Sequence, residues 1–266
     1  MAETKEHKIV SASESGAKAK PSQKKTVEAA PVGNAAGLRG GAIALWVAGL
    51  GLEIVALLIA LGKINLKFMP TLWQLIVMLV LDLACVIVGA QLWKKANHIK
   101  PASEKNKLLF WLWNNMGVIA CVIDFLPVII VLLANKDLDK KTKTIAVVVA
   151  IIALLIGGVA SYDFNPVSEE QQQAAIAAIN TDVYWAPFGK VYHTHEDCSA
   201  LNHTDTLVMG TVEEAIAAGR TRLCSFCARK DDITGVATDG AAEVVDEVAD
   251  KIADTAADTE AQTDAE

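Results

Sequence analysis

Four runs of this sequence, at residues 41–61, 72–93, 108–134 and 144–161, are almost free of charge. Each approaches or exceeds the ~20 residues that cross a ~30 Å hydrocarbon core, the fourth lying nearest the lower limit. In lipid a segment must satisfy its own backbone hydrogen bonds, so each run is expected to be a helix. Pro70 precedes the second run and Pro101 the third, and the connections are short and polar. Trp46, Trp73, Trp93, Trp111 and Trp113 fall mostly toward the ends of the runs, as interfacial indoles do. The hydrophobic fraction of 53% belongs to these segments and points to a membrane protein rather than a soluble enzyme. The expected neighbours of this surface are the lipids of a bilayer.

Even crossing numbers return the chain to its starting side. That side carries Lys24, Lys25, Arg39, Lys94, Lys95, Lys100, Lys105 and Lys107; the other carries Lys63, Lys67, Lys136, Lys140, Lys141 and Lys143. The excess of basic residues predicts that both termini are cytoplasmic in a bacterial inner (plasma) membrane. Residues 1–38 are rich in Lys, Ser, Ala and Glu without apolar periodicity and are expected to be a disordered tail. It is not a signal peptide, because the first apolar run starts late and is long enough to span.

Net charge is −7, yet residues 231–266 alone hold twelve acids and one base, Lys251, for −11. The remainder is therefore basic by +4, and the acidity belongs to a tail read as disordered and solubilising. Its one weak apolar pattern is Val244, Val245, Val248 and Ile252. Between spans and tail, residues 163–181 predict an exposed spacer helix with Ser168 as N-cap and Glu169 and Glu170 in the first turn. Residues 182–230 follow as a compact module. VYWAPFGKVYH predicts a hairpin turning at Pro187–Gly189, and Thr211 with Glu214 predicts a capping box for a short helix closed by Gly219. The fold class is thus a membrane all-α protein with four transmembrane helices, a small α+β module on the C-terminal side, and disordered tails.

Chemistry concentrates in that module. Of five cysteines, Cys85 and Cys121 lie in apolar runs, whereas Cys198, Cys224 and Cys227 cluster with histidines. Cys224-Ser-Phe-Cys227 has the spacing of a zinc knuckle, and an odd cysteine count argues against a disulfide framework. Cys198 supplies a third thiolate, and either His193 or His195 a fourth ligand. Four protein ligands leave no open position, so a Zn2+ held there is structural rather than catalytic. A redox pair is disfavoured because no thioredoxin-like βαβ pattern surrounds the knuckle. His203 has no partner at useful spacing. No nucleophile and base pair is visible, and the chain is read as non-enzymatic.

The order of these features resembles the small zinc-binding module related to the metal-binding domain of Ada-type DNA alkylation-repair regulators: VYW-x-P-x-GKVYH, then a Cys, a Glu-Glu-Ala helix, a Gly and a terminal Cys-x-x-Cys. The resemblance spans about 45 residues. It places the family's tyrosine-histidine pair on Tyr192 and His193 and implies His193, Cys198, Cys224 and Cys227 as ligands. The regulators carry a methyl-accepting cysteine where this chain has His193, and imidazole cannot replace a zinc-activated thiolate in that transfer. The whole architecture is also similar to four-pass bacterial membrane proteins of unassigned function.

The leading expectation is a multi-pass membrane protein displaying a Cys3His zinc module for interaction with a protein or ligand, as a sensor or adaptor. Five bases (Lys190, Arg220, Arg222, Arg229, Lys230) and five acids between residues 183 and 230 disfavour nucleic acid, although Arg220, Arg222 and Arg229 crowd beside the knuckle. The alternative is a proton or cation channel or transporter. Glu53, Asp82 and Asp124 each place an acid near mid-depth of a span, with Asn114 and Asn115 in the third. Against transport, no intramembrane Lys or Arg accompanies them and no pair of broken helices is evident. Neutral carboxyls bonding helix to helix would serve packing instead. Four spans make a thin pathway, so transport requires a homo-oligomer.

Overall fold

The computed structural model describes residues 7–12, 34–65 and 67–240. These fall into two compact units, one of residues 33–166 and one joining the N-terminal segment to residues 167 onward.

Four helices of the first unit are long and apolar enough to cross a membrane: α1 (Ala35–Ala60), α2 (Thr71–Ile99), α4 (Met116–Ala134) and α5 (Lys140–Ser161). The shortest has 19 residues, which rise ~28 Å. Side-chain caps set the starts of α1 and α5, where Asn34 accepts from the Ala36 N–H and Asp139 from the Thr142 N–H. Inward faces carry Ala56, Leu79, Val86, Phe125, Val128 and Ala150, all fully buried. Outward faces leave Val47 64%, Leu155 63% and Val159 65% exposed. A helix bundle with such flanks needs an apolar solvent, which is what a bilayer supplies.

The third apolar run is not one helix. It is α3 (Lys107–Asn114) followed by α4, with Asn115 between them at φ −107° and ψ 23°. Asn114 and Asn115 turn their amides back onto the carbonyls of Phe110 and Trp111 at 3.0 and 2.9 Å. Asn115 also accepts from the Asp163 N–H, and Trp113 O accepts from Trp93 Nε1 and Asn97 Nδ2. The asparagines therefore stitch one end of the bundle. Arg39 completes that end, its guanidinium 5.8 and 5.3 Å from the Trp93 and Trp113 rings.

The second unit is a three-stranded sheet in the order β1-β3-β2, with β1 at Lys8–Ser11, β2 at Val183–Trp185 and β3 at Thr206–Gly210. β2 runs antiparallel to β3, and β1 runs parallel to it with Lys8 opposite Thr206 and Ser11 opposite Met209. Helices α6 (Glu169–Ala178), α7 (Val212–Ala217) and α8 (Ser225–Lys230) surround it. Ser168 and Thr211 both form full capping boxes, with Gln171 and Glu214 respectively, and Gly219 takes φ +84° where α7 ends. The hairpin also forms, Tyr184 and His193 exchanging backbone bonds of 2.7 Å.

Three boundaries differ from the sequence expectation. Residues 8–11 are not disordered tail: the Lys8 N–H bonds to Asp205 O, and His7 Nδ1 lies 2.8 Å from Thr204 O, so β3 supplies the ladder that KIVS lacks alone. α6 is not an exposed spacer, since Ala175 and Ile179 are buried in the core of the module. The module also runs past residue 230. Leu223 bridges to Thr238, and Asp239 accepts from the Ser225 N–H and hydroxyl at 3.0 and 2.6 Å. The Val244–Ile252 pattern and the rest of the acidic tail lie outside the described residues, as do positions 13–33.

Candidate metal centre

Backbone pairing builds the centre. The Tyr192 N–H bonds to Arg222 O and the Cys224 N–H to Tyr192 O, which lays the hairpin's second strand against the knuckle. Cys224 caps α8 and Cys227 sits in its first turn, so the helix itself sets their spacing. Cys198 precedes a 3-10 turn at Ser199–Leu201 whose Leu201 anchors in the core.

These elements bring His193, Cys198, Cys224 and Cys227 together, their ligand atoms all within 4.8 Å of one another, and all four residues are buried. Cys198 Sγ lies 3.9 Å from Cys224 Sγ, and Cys227 Sγ 3.9 Å from His193 Nδ1. The sulfurs are too far apart for a disulfide, and the cysteines are free. Two sulfurs on one tetrahedral zinc at ~2.3 Å would stand ~3.8 Å apart, so the donor set fits such an ion. The group can hold a metal ion.

The four groups perturb one another electrostatically. Burial alone would pull His193 down, but hydrogen bonds with Cys198 and Cys227 outweigh it and raise it to about 9. Hydrogen bonds from Cys198 and Cys224 hold the Cys227 thiol far below the usual range, and those to Cys198 and Cys227 push Cys224 up. Metal binding there would displace protons from His193 and the thiols.

His195 is not part of the group. Its Nε2 lies 2.6 Å from Asp231 Oδ1, and Thr194 donates to the same carboxylate at 2.5 Å, so Asp231 fastens the loop to the end of α8. His203 is exposed. Arg220, expected in a basic patch beside the knuckle, is instead buried and donates to the carbonyls of Ala186, Pro187 and Ala218. It closes the hairpin turn rather than offering charge to a phosphate. Asp231 and Asp239 were hidden from sequence reasoning inside a tail whose composition reads as solvated; only their nearness to the knuckle marked them.

The intramembrane acids also meet. Glu53, Asp82 and Asp124 are 2%, 0% and 3% exposed, and Asp82 and Asp124 both face Gly49 of α1. Comparison with protein-family models, curated proteins and solved structures finds no match to this chain.

Proposed function

We propose that this chain is a membrane protein that displays a structural Cys3His zinc module to the cytoplasm of a bacterial cell, where the module docks a protein or ligand as a sensor or adaptor. The observation carrying this reading is the buried set of one imidazole and three thiols whose ligand atoms lie within 4.8 Å of one another. Three soft sulfurs and one nitrogen suit zinc, and four protein donors leave no place for substrate. Metal and fold are then linked, since the ligands tie the hairpin, the 3-10 turn and the knuckle to one another within the core they share. The likeness to the Ada-type module agrees with this donor order, and His193 in the methyl-acceptor's place leaves no thiolate for alkyl transfer there. Pairing of β1, ahead of the first span, with β3, beyond the last, supports a shared side for the two ends.

Metal analysis of the purified full-length protein tests it. One zinc per chain is expected for the wild type and for His195→Ala, and none for His193→Ala. Zinc retained by His193→Ala and lost from His195→Ala would overturn the ligand set.

A cation pathway through the helix bundle is the second reading, and the convergence of Glu53, Asp82 and Asp124 from three helices favours it.

A further inference from the structure

Glu53 comes from α1, Asp82 from α2 and Asp124 from α4. A Cβ built on Gly49 would stand 2.7 Å from Asp82 Oδ1 and 3.6 Å from Asp124 Oδ2, so it is the bare glycine surface that lets those two carboxyls approach. Glu53 lies one turn further along the same face of α1, against the backbone N–H of Val128. Val128 follows Pro127, which has no N–H and interrupts the ladder of α4.

What sets this cluster apart is that most of its carboxyl oxygens have nothing to bond among the described residues. Glu53 Oε1, both oxygens of Asp82 and Asp124 Oδ2 have no hydrogen-bond partner among the described residues. That is four of the six carboxyl oxygens. Neutral carboxyls used as interhelical glue would donate O–H to an acceptor, and no acceptor meets these four oxygens among the described residues. The other titratable groups around the acids are Cys85 on α2 and Cys121 on α4. α5 brings only apolar and small residues between Ile145 and Ser161, and no Lys or Arg reaches the acids among the described residues. Buried carboxyls without partners are costly in protein and more so in hydrocarbon. Further buried polar side chains lie toward each end of the bundle. On α2, Asp82 is eight residues, ~12 Å, from Gln74 and fifteen residues, ~22 Å, from Asn97.

We propose that Glu53, Asp82 and Asp124 form a membrane-embedded binding site for a small cation, a proton or an alkali metal ion, held by the carboxyl oxygens that the helix bundle leaves unpartnered. Carboxylate oxygens are hard donors suited to such ions, and the bound charge replaces the counter-charge the bundle lacks. This deepens the second reading above, but it concerns binding, which is measured apart from flux.

The test uses the full-length protein in lipid nanodiscs and a hydrophobic carbodiimide, which modifies buried protonated carboxyls, with the labelled residues located by peptide mass. Labelling of these acids in choline chloride is compared with labelling in sodium or potassium chloride at equal ionic strength, and across a range of pH. For an alkali ion, sodium or potassium slows labelling relative to choline, about tenfold at roughly ten times the dissociation constant. For a proton, labelling falls only as pH rises and is indifferent to the salt. Equal labelling in every salt and at every pH, or no labelling of any of the three acids, overturns the site. Asp82→Asn with Asp124→Asn should abolish any sodium or potassium dependence at Glu53, and its persistence also overturns the site as a binding place for an alkali ion. If that variant does not fold, the wild-type comparison alone decides. Cation-sensitive labelling without ion flux in proteoliposomes supports the site and removes the pathway.

Discussion

The two polar clusters of this protein are opposites in how their buried groups are satisfied. In the module, four donors lie within 4.8 Å of one another on a hairpin, a 3-10 turn and a knuckle that backbone bonds bring together. In the bundle, three carboxyls converge with four oxygens that have no partner among the described residues. With a metal bound, the first arrangement would hold a fold together; the second is tolerated by a fold already held by its apolar seam and by the Asn97, Asn114 and Asn115 stitching. Stability of the module should therefore depend on its ligand, whereas that of the bundle should not.

The sharpest way to break this contrast is chelation. Stripping the metal should melt the module, at a cost on the order of 10 kcal/mol, while most of the helical circular dichroism persists. Loss of the transmembrane helices in the same step would erase the distinction. Next in size, Arg220→Met strands the carbonyls of Ala186, Pro187 and Ala218 and should cost the module about 3 kcal/mol, read as faster proteolysis of the hairpin at unchanged zinc content. In the bundle, Gly117→Ala would place a Cβ 2.5 Å from Ala90 Cβ and 3.2 Å from Ala90 Cα. Overpacking there should cost about 2 kcal/mol in detergent unfolding and leave the zinc untouched. The smallest effect concerns Asp163, which His98 meets at 2.9 Å. Burial would raise this carboxyl, but the His98 hydrogen bond and charge outweigh it and hold it below the usual aspartate range. Because the folded value is depressed, its contribution of about 1 kcal/mol is present above pH ~4 and lost as pH falls through the folded value. Asp163→Asn should remove that acid dependence from the melting temperature of the bundle.

Legibility in the sequence differed between the regions for a physical reason. The spans and the knuckle are local: an apolar run long enough to cross a bilayer and a Cys-x-x-Cys pair carry their meaning within a few turns, and the capping boxes at Ser168 and Thr211 are equally short-ranged. The hairpin too was readable, because Pro187–Gly189 interrupts β-formers. What stayed hidden depends on distant partners. KIVS is four residues without a pattern of its own, and only β3, nearly two hundred positions away, makes it a strand. The break at Asn115 is invisible within a continuous apolar run, since it is set by bonds to Trp111 and Asp163. Arg220 counted as surface charge because composition does not show the three carbonyls that bury it. Glu53, Asp82 and Asp124 were individually conspicuous, but nothing in their spacing reveals that they meet at Gly49.

The central claim is that His193, Cys198, Cys224 and Cys227 together hold one zinc ion. X-ray absorption at the zinc edge of the intact protein tests it most directly. The expected first shell is three sulfurs at ~2.3 Å and one nitrogen at ~2.0 Å. A shell with two or more nitrogen or oxygen scatterers, or no zinc bound at all, would contradict it.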